Sequence, residues 1–305
     1  MPPLPADVAR DLPVLLDRAL AEDVGTGDVT TEATIPEATQ ATARFLLKED
    51  GVVAGLAVAE RVFAAVDPAL AVAWTAADGD RLTAGTAFGT VTGRARSILV
   101  AERLALNLMQ RMGGVATAAA RFAEAARPAT VLDTRKTAPG LRALDKWAVR
   151  LGGAQNHRAG LYDMVLVKDN HVAAAGGVRA AVEAVDRHLR VRGLDVPVEV
   201  EARTLAEVDA VLAAWADGLR VDRVLLDNFA RPAPAAAGPG GVDTAPLAEA
   251  VARVGGRVQT EASGNVTLDT VGAVAATGVD YVSTGALTHS VRALDVSLKV
   301  DLDAA

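Results

Sequence analysis

Basic residues gather in one stretch of an otherwise acidic chain. Between Asp133 and His171 the sequence runs DTRKTAPGLRALDKWAVRLGGAQNHRAGLYDMVLVKDNH, with Arg135, Lys136, His157, Arg158 and Lys168 set among apolar runs. Arg135 and Lys136 follow VLDT, and Lys168 follows MVLV. Cations fixed at the ends of β-prone runs predict a pocket for an anionic ligand rather than a basic surface. The chain has 305 residues and a formal net charge of −7, which argues against a general nucleic-acid binder. It has no cysteine, so disulfides, thiolate nucleophiles and Cys-ligated metals are excluded.

Each candidate has a bland reading beside the functional one. Arg135 and Lys136 would point to opposite faces of a strand. They reach one ligand only if the chain leaves the strand there, as Pro139-Gly140 predicts; otherwise they are surface charge. His157 and Arg158 follow the glycine-bearing loop GGAQN, where a solvated histidine is the alternative. A lysine at a strand end, Lys168, is rarely needed for packing. Glu199 and Glu201 share one face of VEVEA. If both point into a barrel, cations or a metal must relieve their repulsion. Glu201 and Asp227, which ends VLLD, suit Mg²⁺ or ribose hydroxyls as oxygen ligands. They could instead pair with Lys136 and Lys168 in a structural network. EASGN and STGALTHSV place Ser263, Gly264 and Gly285 directly after strands. The second predicts a short helix whose N–H groups suit phosphate, with His289 in its first turn. Arg103 lies on a helix and is either a surface arginine or a reach into a neighbouring subunit.

These residues need a scaffold that brings many strand ends together. Strand candidates recur at 130–134, 164–168, 196–202, 223–227, 258–262 and 281–284, with helices at 141–151, 204–215 and 247–254 between most of them. A seventh strand could hide in 172–190. Strand–helix alternation predicts a parallel sheet, either a barrel or a doubly wound sheet. Nearly every candidate strand ends in chemistry, which favours the barrel, since a barrel gathers its strand C-termini at one mouth. No G-x-G-x-x-G follows a strand.

Upstream, residues 1–10 read as a lead-in and 11–21 as a helix. Short β-prone runs across 41–92, with a helix at 56–65, predict a small α+β domain. A helix over 96–112, capped by Ser97, ends at Gly113-Gly114, a hinge or boundary before a second helix at 115–126. Residues 230–243, rich in Pro, Ala and Gly, read as a surface loop. The alternating ALDVSLKVDL predicts a strand that closes the second domain or returns to the first. Neither a signal peptide nor a spanning helix is predicted, so the protein is expected to be cytoplasmic.

Many fixed cations, a carboxylate pair and two glycine-bearing turns suit an acidic small molecule reacting with a phosphorylated sugar. Schiff-base chemistry at Lys168 is a rival, and an anion-binding regulator a third reading.

The motifs DTRKTAPGLRALDKWAVRLGG, QNHRAGLYDMVLVKDNH, VEVEA, LLDNF, EASGN and STGALTHS, in that order, resemble the carboxylating nicotinate-nucleotide pyrophosphorylase (quinolinate phosphoribosyltransferase) family. The resemblance runs over about residues 15–303. It implies a small N-terminal α+β sandwich domain, here set over 1–113, and an incomplete, open α/β barrel over 114–291; the strand at 292–303 is left to either of the two. It implies that quinolinate and 5-phosphoribosyl 1-pyrophosphate give nicotinate mononucleotide, CO₂ and pyrophosphate with Mg²⁺, in de novo NAD synthesis. A homodimer or dimer-based hexamer is expected, with no nucleic acid or membrane partner. Arg135, His157, Arg158 and Lys168 would hold the quinolinate carboxylates, joined by Arg103 from a partner subunit. Lys136 and Lys168 would touch the phosphoribosyl substrate. Glu201 and Asp227 would face the ribose and magnesium, and Ser263, Gly264, Gly285 and His289 the 5-phosphate. Gly113 stands where the family often has serine, Ala154 replaces a glycine, and segments 211–223 and 230–243 look expanded.

Overall fold

The computed structural model describes residues 4–232 and 241–302. In chain order the elements begin with α1 (Ala6–Val24), α2 (Val29–Thr34), β1 (Gln40–Leu47), β2 (Gly51–Val52), α3 (Leu56–Val66), β3 (Ala71–Trp74), β4 (Arg81–Leu82), β5 (Ala87–Arg94) and α4 (Ala95–Ala125). There follow β6 (Thr130–Leu132), α5 (Arg142–Leu151), β7 (Val165–Val167), α6 (Asp169–Ala175), α7 (Val178–Arg192), β8 (Val198–Ala202), α8 (Leu205–Ala216) and β9 (Arg223–Asp227). The last are β10 (Arg231–Pro232), β11 (Val242–Asp243), α9 (Ala245–Val254), β12 (Gln259–Ser263), α10 (Val271–Ala275), β13 (Tyr281–Ser283), α11 (Ala286–His289) and β14 (Val296–Leu302). Two compact units result. Of the described residues, one holds 4–120, 137–153 and 287–302; the other holds 121–136, 154–232 and 241–286.

The first unit is built on an antiparallel sheet ordered β14-β1-β5-β3. Alternation in β1 turns Ala41, Ala43, Phe45 and Leu47 inward, and all four are fully buried. Phe45 packs edge-on to Phe63 of α3 and against Trp74 and Phe88. The C-terminal strand β14 pairs antiparallel with β1, placing Leu298 opposite Phe45. Of the two places the sequence allowed for that strand, it takes the N-terminal sheet.

Three local readings change. Helix α1 already begins at Ala6, so the second half of the supposed lead-in is helical. Helix α4 runs unbroken through Gly113 and Gly114. The glycines serve close packing: a Cβ on Gly114 would meet the Arg292 carbonyl oxygen, and one on Gly113 would stand 2.8 Å from Leu294 Cδ2. Ser97 lies inside α4 and donates to Asp67 at 2.7 Å instead of capping the helix. Asp28 caps α2, accepting the Thr31 N–H at its start.

The second unit is a six-stranded parallel sheet ordered β6-β13-β12-β9-β8-β7. Counted from β7, the chain proceeds through β8, β9, β12 and β13, and β13 then pairs with the first strand, β6. Return of the last strand to the first is a barrel order, unlike the reversal of a doubly wound sheet. Gln155 adds a parallel bridge to Leu132 on the far side of β6. Among the described residues no pairing joins that edge to β7, so the barrel is open along one seam. The stretch 172–190 holds no strand; it belongs to α6 and α7. Of the predicted surface loop at 230–243, the described parts form the hairpin β10–β11, and 233–240 lie outside the described residues.

Candidate active site

Parallel strands alternate side chains in and out, and the inward set here is polar except for one leucine. On β8 it is Glu199 and Glu201; on β9, Arg223, Leu225 and Asp227; on β12, Gln259, Glu261 and Ser263. In-register pairing sets Arg223 beside Glu199 and Gln259, and Asp227 beside Ser263. The C-terminal ends of these strands carry Glu201, Asp227 and Ser263, and Lys168 follows neighbouring β7, so these strand-end residues picked from the sequence share one rim.

The loop holding His157 and Arg158 is fixed from below. Asp133, fully buried after β6, accepts the His157 backbone N–H and the Asn156 side-chain N–H, both at 2.8 Å. Asp163 then folds the following turn by accepting the N–H groups of Ala159 at 2.7 Å and Gly160 at 2.9 Å. The Arg158 guanidinium donates to the Met164 carbonyl at 3.4 Å. Burial lowers the Arg158 pKa from its ordinary value, and the nearby positive charge of Arg135 lowers it further. Arg135 and Arg158 therefore place two positive charges in one region of the unit.

The His157 ring is not displayed to solvent. Its side chain is 8% exposed; Nε2 lies 2.9 Å from Glu199, and Nδ1 accepts the Arg158 N–H at 2.7 Å. Beneath it, burial raises the Glu199 pKa, and burial with the Glu199 charge pushes Glu261 up to about 7. Arg223 donates to Glu261 at 2.8 Å and lies 4.0 Å from the Tyr281 ring centre.

On the rim, Lys168 Nζ stands 3.5 Å from Glu201 Oε2 and remains half exposed. A Schiff-base lysine uses a dehydrated pocket, which this amine lacks. Burial raises the Glu201 pKa; Lys168 opposes the rise, while Asp227 and Asp169 add to it. Asp227 accepts from Ser263 Oγ and from Asn228 Nδ2, both at 2.6 Å. Ser263 thus gives its hydroxyl hydrogen to Asp227. Gly264 adopts φ +97°, and a Cβ there would collide with Asn228 Oδ1. Asn228 and Asn265 themselves take φ 59° and 53°, the left-handed region that asparagine tolerates. The turns after β9 and β12 are therefore locked together, with Asn228 N–H donating to the Ser263 carbonyl at 2.9 Å.

Lys136 is exposed after β6, and Gly285 is buried after β13. Arg103, exposed on α4, and His289, at the end of α11, belong to the first unit. Arg203 was missed: it follows β8 and sits between Asp169, at 3.1 Å, and Asp227, at 3.8 Å. Asp133, Arg223 and Glu261 were missed too. The two-residue spacing Arg223-x-Leu225-x-Asp227 and Gln259-x-Glu261-x-Ser263 carried the signal for the last two.

The family profile described as quinolinate phosphoribosyl transferase, C-terminal domain, matches residues 115–299, and the one for its N-terminal domain matches residues 28–113. The chain belongs to the quinolinate phosphoribosyltransferase family. It is 53% identical over 303 residues to quinolinate phosphoribosyltransferase [decarboxylating] 1 of Nicotiana glauca, covering 99% of this chain and 85% of that one. It is equally 53% identical to the chloroplastic carboxylating nicotinate-nucleotide pyrophosphorylase of Arabidopsis thaliana, covering 99% and 86%. The solved nicotinate-nucleotide pyrophosphorylase of Francisella tularensis superposes with a TM-score of 0.86 at 34% identity, covering 98% of both chains. Human nicotinic acid phosphoribosyltransferase, at 16% identity and a TM-score of 0.60 over 89% of this chain and 72% of that one, shares the fold alone.

Proposed function

We propose that this chain transfers the phosphoribosyl group of 5-phosphoribosyl 1-pyrophosphate to quinolinate, giving nicotinate mononucleotide, CO₂ and pyrophosphate in de novo NAD synthesis. The observation that carries the reading is the paired guanidiniums of Arg135 and Arg158 in a unit whose rim also bears Lys168, Glu201 and Asp227. Family membership supports it.

In this reading Arg135, Arg158 and Lys168 hold the two carboxylates, with His157 beside them. The pyridine nitrogen bonds to C1 of the sugar as the C1–O bond to pyrophosphate breaks, and pyrophosphate leaves with the electron pair. Lys136 and Lys168 neutralise charge on that leaving group. The ring nitrogen, now positive, stabilises the electron pair that the broken bond to the 2-carboxylate leaves on C2. CO₂ departs, and the ring carbon takes a proton. No protein nucleophile is needed.

Glu201 and Asp227 fit a magnesium ion: both are oxygen donors, and their mutual repulsion is what a cation relieves. Bound with substrate phosphates, such an ion supplies positive charge to the pyrophosphate. Ser263, Gly264 and Gly285 are assigned to the 5-phosphate end, as is His289 by resemblance. Arg103 is assigned to the site of a second copy in a homodimer or dimer-based hexamer, and the protein to the cytoplasm. Among the described residues no helix is long and apolar enough to cross a membrane.

The test is incubation of the purified protein with both substrates and Mg²⁺, following nicotinate mononucleotide by mass, with nicotinate replacing quinolinate in a parallel reaction. Product and pyrophosphate from quinolinate alone support the reading. Product from nicotinate alone rejects it.

A further inference from the structure

Beneath the rim lies a group of polar side chains that the reaction above does not use. Glu199 and Glu261 are 0% and 1% exposed, so neither can touch a substrate. They stand on β8 and β12, the strands flanking β9. Both approach His157 Nε2, Glu199 at 2.9 Å and Glu261 at 3.5 Å. Arg223, on the strand between them, donates to Glu261 at 2.8 Å. At the other end of the imidazole, Nδ1 accepts the Arg158 N–H at 2.7 Å. A ring nitrogen that accepts an amide hydrogen is unprotonated, so a hydrogen on Nε2 points at the two carboxylates.

Burying two carboxylates is costly, and apolar filling of the same volume would serve stability as well or better. What the pair adds is a fixed geometry. We propose that Glu199 and Glu261 are positioning residues for substrate: they set the His157 ring from inside the barrel, and the ring sets the backbone of Arg158, so that its guanidinium faces the same anion as Arg135. This rests on the dicarboxylate reading of the site and deepens it. His157 becomes a strut between a buried acid pair and an anion-binding arginine, where the family resemblance implies a direct ligand. The three ligand atoms of His157, Glu199 and Glu261 do lie within 4.8 Å of one another. The gap between them receives an imidazole N–H instead of a lone pair, which suits a hydrogen-bonded strut better than a metal.

The experiment uses the full-length protein in its native assembly. Quinolinate Kd by calorimetry, and KM for each substrate with kcat, are measured for wild type, Glu199→Gln, Glu261→Gln, His157→Asn and the double variant Glu199→Gln/His157→Asn. Each single change raises the quinolinate Kd and KM by about tenfold, as expected for a lost buried hydrogen bond. The double variant loses no more than the worse single one, because both act through one strut. In the two glutamine variants the KM for the phosphoribosyl substrate and kcat at saturation stay within about twofold of wild type, which a collapsed fold would not allow. Either glutamine variant alone suffices if the other does not fold. The proposal is overturned by wild-type quinolinate affinity in a glutamine variant alongside loss in His157→Asn, or by additive losses in the double variant. Wild-type protein that binds no quinolinate removes the dicarboxylate reading itself, a distinguishable result.

Discussion

Arg111 meets Asp145 in a two-pronged ion pair, Nε to Oδ1 at 2.8 Å and Nη2 to Oδ2 at 2.7 Å, with Asp145 wholly buried. Arg111 also donates to the Thr288 carbonyl at 3.3 Å, and Asp145 accepts the Ala138 N–H at 3.3 Å. One pair thereby ties α4, α5, α11 and the loop after Lys136. Asp145→Ala leaves Arg111 without its main counter-charge and is expected to destabilise the protein by about 3–5 kcal/mol. Chemical denaturation of wild type and variant checks this; a change under about 1 kcal/mol would mean the pair is replaceable.

Lys136→Ala and Lys168→Ala each remove positive charge assigned to the departing pyrophosphate. Each is expected to lower kcat by about a hundredfold, with a smaller effect on stability, since both lysines are exposed. Single-turnover kinetics under saturating substrates make the comparison. Unchanged turnover in both variants would defeat the assignment.

Gly264→Ala places a methyl group against Asn228 in a backbone region that disfavours side chains, at φ +97°. Strain of about 1–2 kcal/mol is expected. The turn carrying Asn228 must shift, and Asp227 and Ser263 with it. The KM of the phosphoribosyl substrate should rise more than that of quinolinate. Equal rises in both would show that the turn serves the fold in general.

Glu261 yields a prediction about pH. Its carboxyl is pushed from an ordinary 4.5 up to about 7, chiefly by burial. Between those values the folded protein keeps a proton that the unfolded chain has released. This contribution to stability is complete below the lower value and is lost as pH rises through the upper one. Relative to Glu261→Gln, wild-type stability should fall by about 1.4 kcal/mol per pH unit across that window and level off above it. Urea denaturation of both proteins at several pH values gives the two curves, and parallel curves would contradict the prediction.

How legible was all this in the sequence? The rim was, because charged residues ending apolar runs mark strand C-termini. Lys168 after MVLV and Asp227 after VLL are the clearest cases. The interior was not, because buried parallel strands read as apolar runs and attention stops at their ends. Arg223 opens its strand before VLL, Glu261 lies in the short run QTEAS, and only the two-residue alternation leading to Asp227 and Ser263 betrays them. Gly113-Gly114 misled for another reason. Glycine pairs usually break helices, and only the packing of Arg292 and Leu294 shows why these do not. The Pro-rich start hid where α1 begins, because Pro5 can precede a helix as readily as it ends a loop.

In the proposed reaction Arg135 and Arg158 together hold a doubly negative pyridine. Calorimetric titration with quinolinate and with nicotinate, on wild type and on Arg158→Ala, decides the point. Quinolinate should bind wild type at least about tenfold more tightly than nicotinate, and Arg158→Ala should erase most of that difference. Equal affinity for the two acids in wild type, or a preference untouched by the substitution, would contradict it.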